Sequence, residues 1–131
     1  RISPQKVPAF LERCDILYLS THNSKVWDYG QSMNKVVEYM YAGKPIIASY
    51  SGFPSMIDDA GSGVFVKSND EVALKDQLLR FGAMKGDELA RTGSKGRAWV
   101  MDRRNYSQLA NEYLERIEKL VTTEVLSETR G

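Results

Sequence analysis

Three short, mainly apolar runs, Asp15-Ile-Leu-Tyr-Leu-Ser20, Pro45-Ile-Ile-Ala-Ser49 and Gly63-Val-Phe-Val66, alternate with stretches of helical spacing, and that alternation constrains the fold more than any other feature of the chain. Runs of this length between turn residues read as strands. Strands that alternate with helices form a parallel sheet in which the helices are the crossovers. The first run, from Asp15 to Ser20, is apolar almost throughout, as expected of a strand covered on both faces.

The helices follow from spacing and punctuation. Pro8 to Arg13 reads as a short helix feeding the first strand, and Thr21 to Gln31 as a polar loop. Ser32 is the expected N-cap of a helix from about Met33 to Ala42, with a buried stripe of Val36, Val37, Met40 and Tyr41, closed by Gly43 before Lys44-Pro45 forbids continuation. Pro54 to Ala60 reads as a short helix, and Asp70 to Phe81, Lys85 to about Met101 and Ser107 to Val121 as longer ones. Residues 122–131 lack periodicity and read as a frayed tail, which leaves 1–121 as the folded part. The fold class is therefore α/β, a Rossmann-like parallel sheet with helices on both faces. Three strands are few for a doubly wound domain, whose ligand site lies where two halves meet, so the expectation is part of a larger lobe.

Composition removes several function classes. At 131 residues the chain is one domain or part of one. With 18 basic against 17 acidic side chains it has no field for gripping a nucleic-acid backbone. One cysteine, Cys14, makes no internal disulfide and, with a single histidine and no Asp-x-Asp, no evident metal site, so no metal is expected. No apolar run is long enough to span a bilayer and no basic region precedes an apolar leader, so a cytoplasmic location is expected.

The chemistry is expected at the loop-to-helix junction around Ser32. The first amides of a helix have no intrahelical partner and its dipole is positive there, so a diphosphate fits at Ser32, Met33, Asn34 and Lys35. Glu38, one turn further on, could accept hydrogen bonds from two ribose hydroxyls, although on spacing alone it reads as an ordinary exposed helix glutamate.

The segment Glu38-Tyr-Met-Tyr-Ala-Gly-Lys-Pro-Ile-Ile-Ala-Ser49 resembles a segment of the retaining glycosyltransferases of the GT-B fold that use nucleotide sugars (glycosyltransferase group 1, family 4 type), in particular a subgroup that assembles bacterial polysaccharides. Cys14-Asp-Ile-Leu17, Gly52-Phe-Pro54, Ala60-Gly-Ser-Gly-Val-Phe-Val66, Asn69 to Leu74 and Gly96-Arg97 resemble further parts of the family, so the likeness runs from about residue 6 to 121. It implies the C-terminal, donor-binding lobe. Glu38 then matches the second glutamate of the family's Glu-x7-Glu motif, which binds the donor ribose, and Ser32 to Lys35 match the backbone that binds the diphosphate. Gly30 stands where the family has its first glutamate, which faces the donor sugar; Ser32-Met-Asn-Lys35 is closer to a subgroup with a Ser-x-Asn/Pro-Lys loop. Gly30, Gln31 and Asp28 remain candidate sugar contacts, and no catalytic residue is assigned.

The resemblance implies transfer of a sugar, from UDP by preference, to a saccharide or lipid-linked acceptor with retention, in surface polysaccharide synthesis and without a metal. The fragment alone is expected to be inactive, since the acceptor site belongs to the missing N-terminal lobe. Three further expectations concern partners: a homodimer through the bare edge of the first strand, a peripheral membrane contact at Arg97, Arg103 and Arg104, and no nucleic acid. His22 reads as structural or idle, and the loop aromatics Trp27 and Tyr29 either cover a domain face or stack on a base or sugar. Two other readings stay open: a nucleotide-sugar epimerase of the same fold, and a non-enzymatic α/β docking module.

Overall fold

The computed structural model describes residues 2–29, 33–49 and 55–128, with side chains through residue 122. The chain divides into two compact units, Arg1–Val100 and Met101–Gly131.

The first unit is built on three parallel strands, β1 (Leu17–Ser20), β2 (Ile46–Ser49) and β3 (Gly63–Val66), in the order β1-β2-β3. Leu17 aligns with Ile46 and Gly63, and Leu19 with Ala48 and Phe65. Helix α1 (Val7–Glu12) precedes β1, α2 (Asn34–Tyr41) joins β1 to β2, and α3 (Met56–Ala60) joins β2 to β3. Both crossovers step the same way along the sheet, so their shared right-handedness puts α2 and α3 on one face. There Leu17, Leu19, Ile46 and Ala48 form one core cluster with Leu11 of α1, Val36 and Met40 of α2, and Met56 and Ile57 of α3. Residues one step along each strand point the opposite way. On that second face α4 (Glu71–Ala83) packs on β2 and β3, and Ile47 is 0% exposed.

β1 departs from expectation. Its burial alternates, with Leu17 and Leu19 inside but Tyr18 43% exposed, so only one of its faces is covered. It is an edge strand and α4 packs mainly on β2 and β3, whereas the central β2 is buried along its length.

Local chemistry sets the element ends. Ser55 and Asp58 form a reciprocal capping box on α3, the Ser55 hydroxyl accepting from the Ile57 amide at 3.2 Å. The Asp70 carboxylate caps α4 by accepting from the Ala73 amide at 2.9 Å. Gly43, at φ +68°, takes the left-handed conformation just past α2.

Helix α5 (Gly86–Arg103) contributes Val100 to the core. It approaches closely enough that a Cβ placed on Gly93 would lie 2.6 Å from the Gly43 carbonyl carbon, and one on Gly96 2.8 Å from the Ser62 Cβ.

The second unit begins in the last turn of α5 and is dominated by α6 (Tyr106–Glu128), whose start is capped by the Asn105 carboxamide accepting from the Gln108 amide at 2.8 Å. α6 continues past Val121 to Glu128, into the segment expected to fray. Nothing between Thr122 and Glu128 is glycine or proline, so nothing interrupts the backbone ladder even where the apolar stripe ends. Tyr113, Ile117, Leu120 and Val121 are exposed on it.

Candidate functional site

The N-terminus of α2 differs by one residue from the expectation. Met33, extended at φ −102° and ψ 122°, is the N-cap, and the helix runs from Asn34. Ser32, expected as the cap, lies outside the described residues together with Gln31 and Gly30. A thioether cannot cap as a serine hydroxyl does, and no side-chain cap hydrogen bond is present. The Val36 amide bonds back to the Met33 carbonyl at 3.0 Å, which leaves the amides of Asn34 and Lys35 without an intrahelical partner. Both side chains are exposed.

One turn along the same helix, Glu38 faces a groove of about 250 Å³ between α1 and α2. Its walls are mainly apolar: Val7, Pro8 and Leu11 from α1, and Val37 and Ala42 from α2. Glu12 and Arg97 bring the remaining charges. The Arg97 guanidinium lies over the Tyr41 ring, 5.4 Å from its centroid, a cation–π contact at the far end of α2. Next to Glu38 on the helix, burial pushes the Tyr39 phenol above its usual 10.0, with Cys14 and Glu38 adding to the rise.

His22 is elsewhere. It lines a second cavity, of about 260 Å³, beyond the carboxyl ends of β1 and β2, with Tyr18, Ser20, Thr21 and Ser49 on the strand side and Asn69 to Glu71 on the α4 side. Its backbone carbonyl accepts from the Trp27 indole at 2.8 Å, and Trp27 packs against the core. Asp28 and Tyr29 end a 3-10 turn (Lys25–Tyr29), with Tyr29 92% exposed. The structure thus brings Asn34, Lys35 and Glu38 together on one helix and leaves His22 in a separate cavity.

Comparison with known proteins decides what this geometry belongs to. The family model described as "Glycosyl transferases group 1" matches residues 1–83, which carry the whole sheet, α2 and Glu38. The chain belongs to that family. A relative, the putative colanic acid biosynthesis glycosyltransferase WcaL of Escherichia coli (strain K12), is 29% identical over 96 residues, 72% of this chain and 24% of that protein. The chain therefore spans about a quarter of that relative's length. No solved structure matches it.

Within the group 1 frame, sequence reading missed what surrounds Glu38. Val7, Leu11 and Arg97 line the groove with Glu38 from other parts of the chain, Arg97 lying beyond the matched residues. Of the three arginines of the expected basic patch, all exposed, Arg97 lies over Tyr41 and Arg103 lies 3.7 Å from Asp102. The expected turn at Gly52-Phe-Pro54 lies outside the described residues. Among the described residues no three His, Cys, Asp or Glu side chains stand together as metal ligands, and no helix is long and apolar enough to cross a membrane.

Proposed function

We propose that this chain is the C-terminal part of the donor-binding lobe of a GT-B glycosyltransferase, which moves a sugar from a nucleotide diphosphate, UDP by preference, to a saccharide or lipid-linked acceptor with retention. Membership of the group 1 family and similarity to a relative named for colanic acid biosynthesis support sugar transfer and a role in surface polysaccharide synthesis. The observation that carries the donor assignment is the placement of Glu38, in a mainly apolar groove one turn from a helix end whose first amides have no intrahelical partner.

Asn34 and Glu38 are four residues apart, hence on the same side of α2 and about 6 Å apart along its axis. That separation suits a ribose held by the carboxylate while the diphosphate meets the amides of Asn34 and Lys35. A lysine in the first turn opposes the helix dipole when the site is empty, and an anion docked there would satisfy both. As the bond from the sugar to the diphosphate breaks, negative charge builds on the leaving phosphate oxygens. Fixed amide dipoles already aimed at that position, with Lys35 beside them, would stabilise it without reorganising and without a bridging metal. The missing first half of the lobe would pair with the open edge of β1, and the opposite lobe would bring the acceptor.

Titration of the full-length, isotopically labelled enzyme with UDP and a UDP-sugar tests the reading. Amide shifts centred on Asn34 to Glu38, weakened in Glu38→Ala, are expected. Saturable binding that leaves α2 unperturbed, or no binding, refutes the donor site. The epimerase alternative would instead yield an epimerised donor in the absence of acceptor.

A further inference from the structure

We propose that the cavity beyond the carboxyl ends of β1 and β2 is a pyranose subsite, in which Tyr18 backs the apolar face of a sugar ring and His22, Asn69 and Glu71 bond its hydroxyls. The proposal rests on the reading above that the protein handles sugars, and it adds a site apart from the one at Asn34 to Glu38.

The position is the one a parallel sheet offers. Ligands of open α/β sheets bind outside the carboxyl ends of the strands, and this cavity lies there, between Ser20 and Ser49 at the strand ends and the first turn of α4. α2 carries the chain back from the carboxyl end of β1 to the amino end of β2, so its N-terminal amides stand at the same end of the sheet. At about 260 Å³ the cavity falls below the range of about 300–1,000 Å³ typical of pockets that enclose a whole ligand, so it suits a single ring.

The lining suits a polyol and not an anion. Each sugar hydroxyl both donates and accepts. The Asn69 carboxamide and a neutral His22 imidazole offer a donor and an acceptor each, and the Glu71 carboxylate accepts. None of these side chains is tied to another described residue by a hydrogen bond or an ion pair. Asp70 brings a second carboxylate, engaged with the Ala73 amide, and no lysine or arginine lines the cavity among the described residues. Two full negative charges outweigh the roughly half positive charge at the N-terminus of α4, so a phosphate is disfavoured and a neutral ring is not. Tyr18 supplies the apolar wall. It stands 43% exposed between the buried Leu17 and Leu19, and the negative face of its ring attracts the weakly positive C–H bonds on the flat side of a pyranose.

The backbone that carries the polar groups is fixed before any ligand arrives. The Trp27 indole donates to the His22 carbonyl and itself packs against the core, which anchors the loop at His22. Asn69, at φ +63°, takes the left-handed conformation that asparagine visits more readily than most residues, and its turn leads β3 into α4.

The experiment follows the Tyr18 ring, the His22 imidazole and the Asn69 carboxamide by NMR in the full-length enzyme. The probes are UDP, UDP-glucose, UDP-galactose, UDP-N-acetylglucosamine and the methyl glycosides of the same sugars. Calorimetry compares these ligands for wild type, His22→Ala and Asn69→Gly. Both substitutions spare the frame, since Trp27 bonds the His22 backbone and glycine adopts positive φ freely. With a donor sugar in the cavity, the signals are expected to move with a UDP-sugar and not with UDP. Each variant then weakens that UDP-sugar by about five- to tenfold, the loss of one hydrogen-bonding partner, and leaves UDP unchanged. With an acceptor sugar there, the signals move with a methyl glycoside in the absence of nucleotide, and the variants weaken the glycoside by the same factor. Signals unmoved by every sugar, or variants that weaken UDP as much as its sugars, overturn the subsite and leave the donor site at Asn34 to Glu38 standing. Failure of UDP and of every UDP-sugar to bind refutes that donor site, while the glycosides still decide the cavity.

Discussion

Replacing Gly93 by alanine tests the packing that seats α5 on the rest of the first unit. A methyl group there would stand 2.6 Å from the Gly43 carbonyl carbon and 2.7 Å from the Lys44 Cα. Both are backbone atoms, in a turn held by the positive φ of Gly43 and by the buried Pro45, so no side chain can swing aside. Either the turn or the helix must shift, and overpacking of this kind costs about 1–3 kcal/mol. Alanine recovers about 1 kcal/mol of helix propensity over glycine. With unyielding neighbours the upper part of the range applies, and the net loss is about 1–2 kcal/mol. Gly82 in α4 is the control: nothing lies within 4 Å of the added Cβ, so the same substitution keeps only the propensity gain, up to about 1 kcal/mol. Urea unfolding followed by far-ultraviolet circular dichroism should show opposite shifts of the midpoint at unchanged slope. A Gly93→Ala midpoint at or above wild type would refute the close approach of α5 to the Gly43 turn.

The remaining predictions concern pH and association. The Tyr39 phenol is held above its usual 10.0, chiefly by burial, so the folded state binds its proton more tightly than the unfolded chain does. Its contribution to stability is fully present below about pH 10 and is lost as pH rises through the higher folded value, because ionisation forces a charge into a half-buried site. The melting temperature of wild type relative to Tyr39→Phe should therefore fall above pH 10; a difference constant from pH 8 to beyond 11 would count against it. The outer edge of β1 has no partner among the described strands, and an unpaired edge is a template for another chain. The chain expressed alone is expected to self-associate in sedimentation and to return toward monomer in Tyr18→Lys; a monodisperse wild-type monomer would refute that.

How far the fold was legible depended on whether the signal was local. β3 begins at Gly63 and ends at Val66 as read, because Gly61-Ser62 turns the chain before it and a polar turn follows. The capping residues Asp70 and Ser55 act within three positions of themselves, and α3 and α4 start beside them. Burial is not local. An apolar strand reads the same whether one face or two will be covered, and Tyr18 is open because the nearest helix on its side sits on β2 and β3. The length of α6 was missed for the converse reason: an uninterrupted backbone ladder continues a helix even where no apolar stripe requests it.

Glu38 was legible through the motif around it, but its groove was not, since the walls come from α1 and α5 and no spacing rule connects them. What connects them is a pair of glycines whose contact cannot be seen in one dimension. Gly93 lies four residues, one turn, before Arg97, on the same side of α5. The absence of a Cβ at Gly93 lets the helix settle on the Gly43 turn, and that seating lays the Arg97 stem along the same turn and its guanidinium over Tyr41. The contact that holds α5 in place and the geometry that aims Arg97 into the groove are therefore one structural fact. A methyl group at Gly93 that lifts the helix would also withdraw the guanidinium from Tyr41, so the cation–π contact should be lost along with stability in Gly93→Ala and kept in Gly82→Ala.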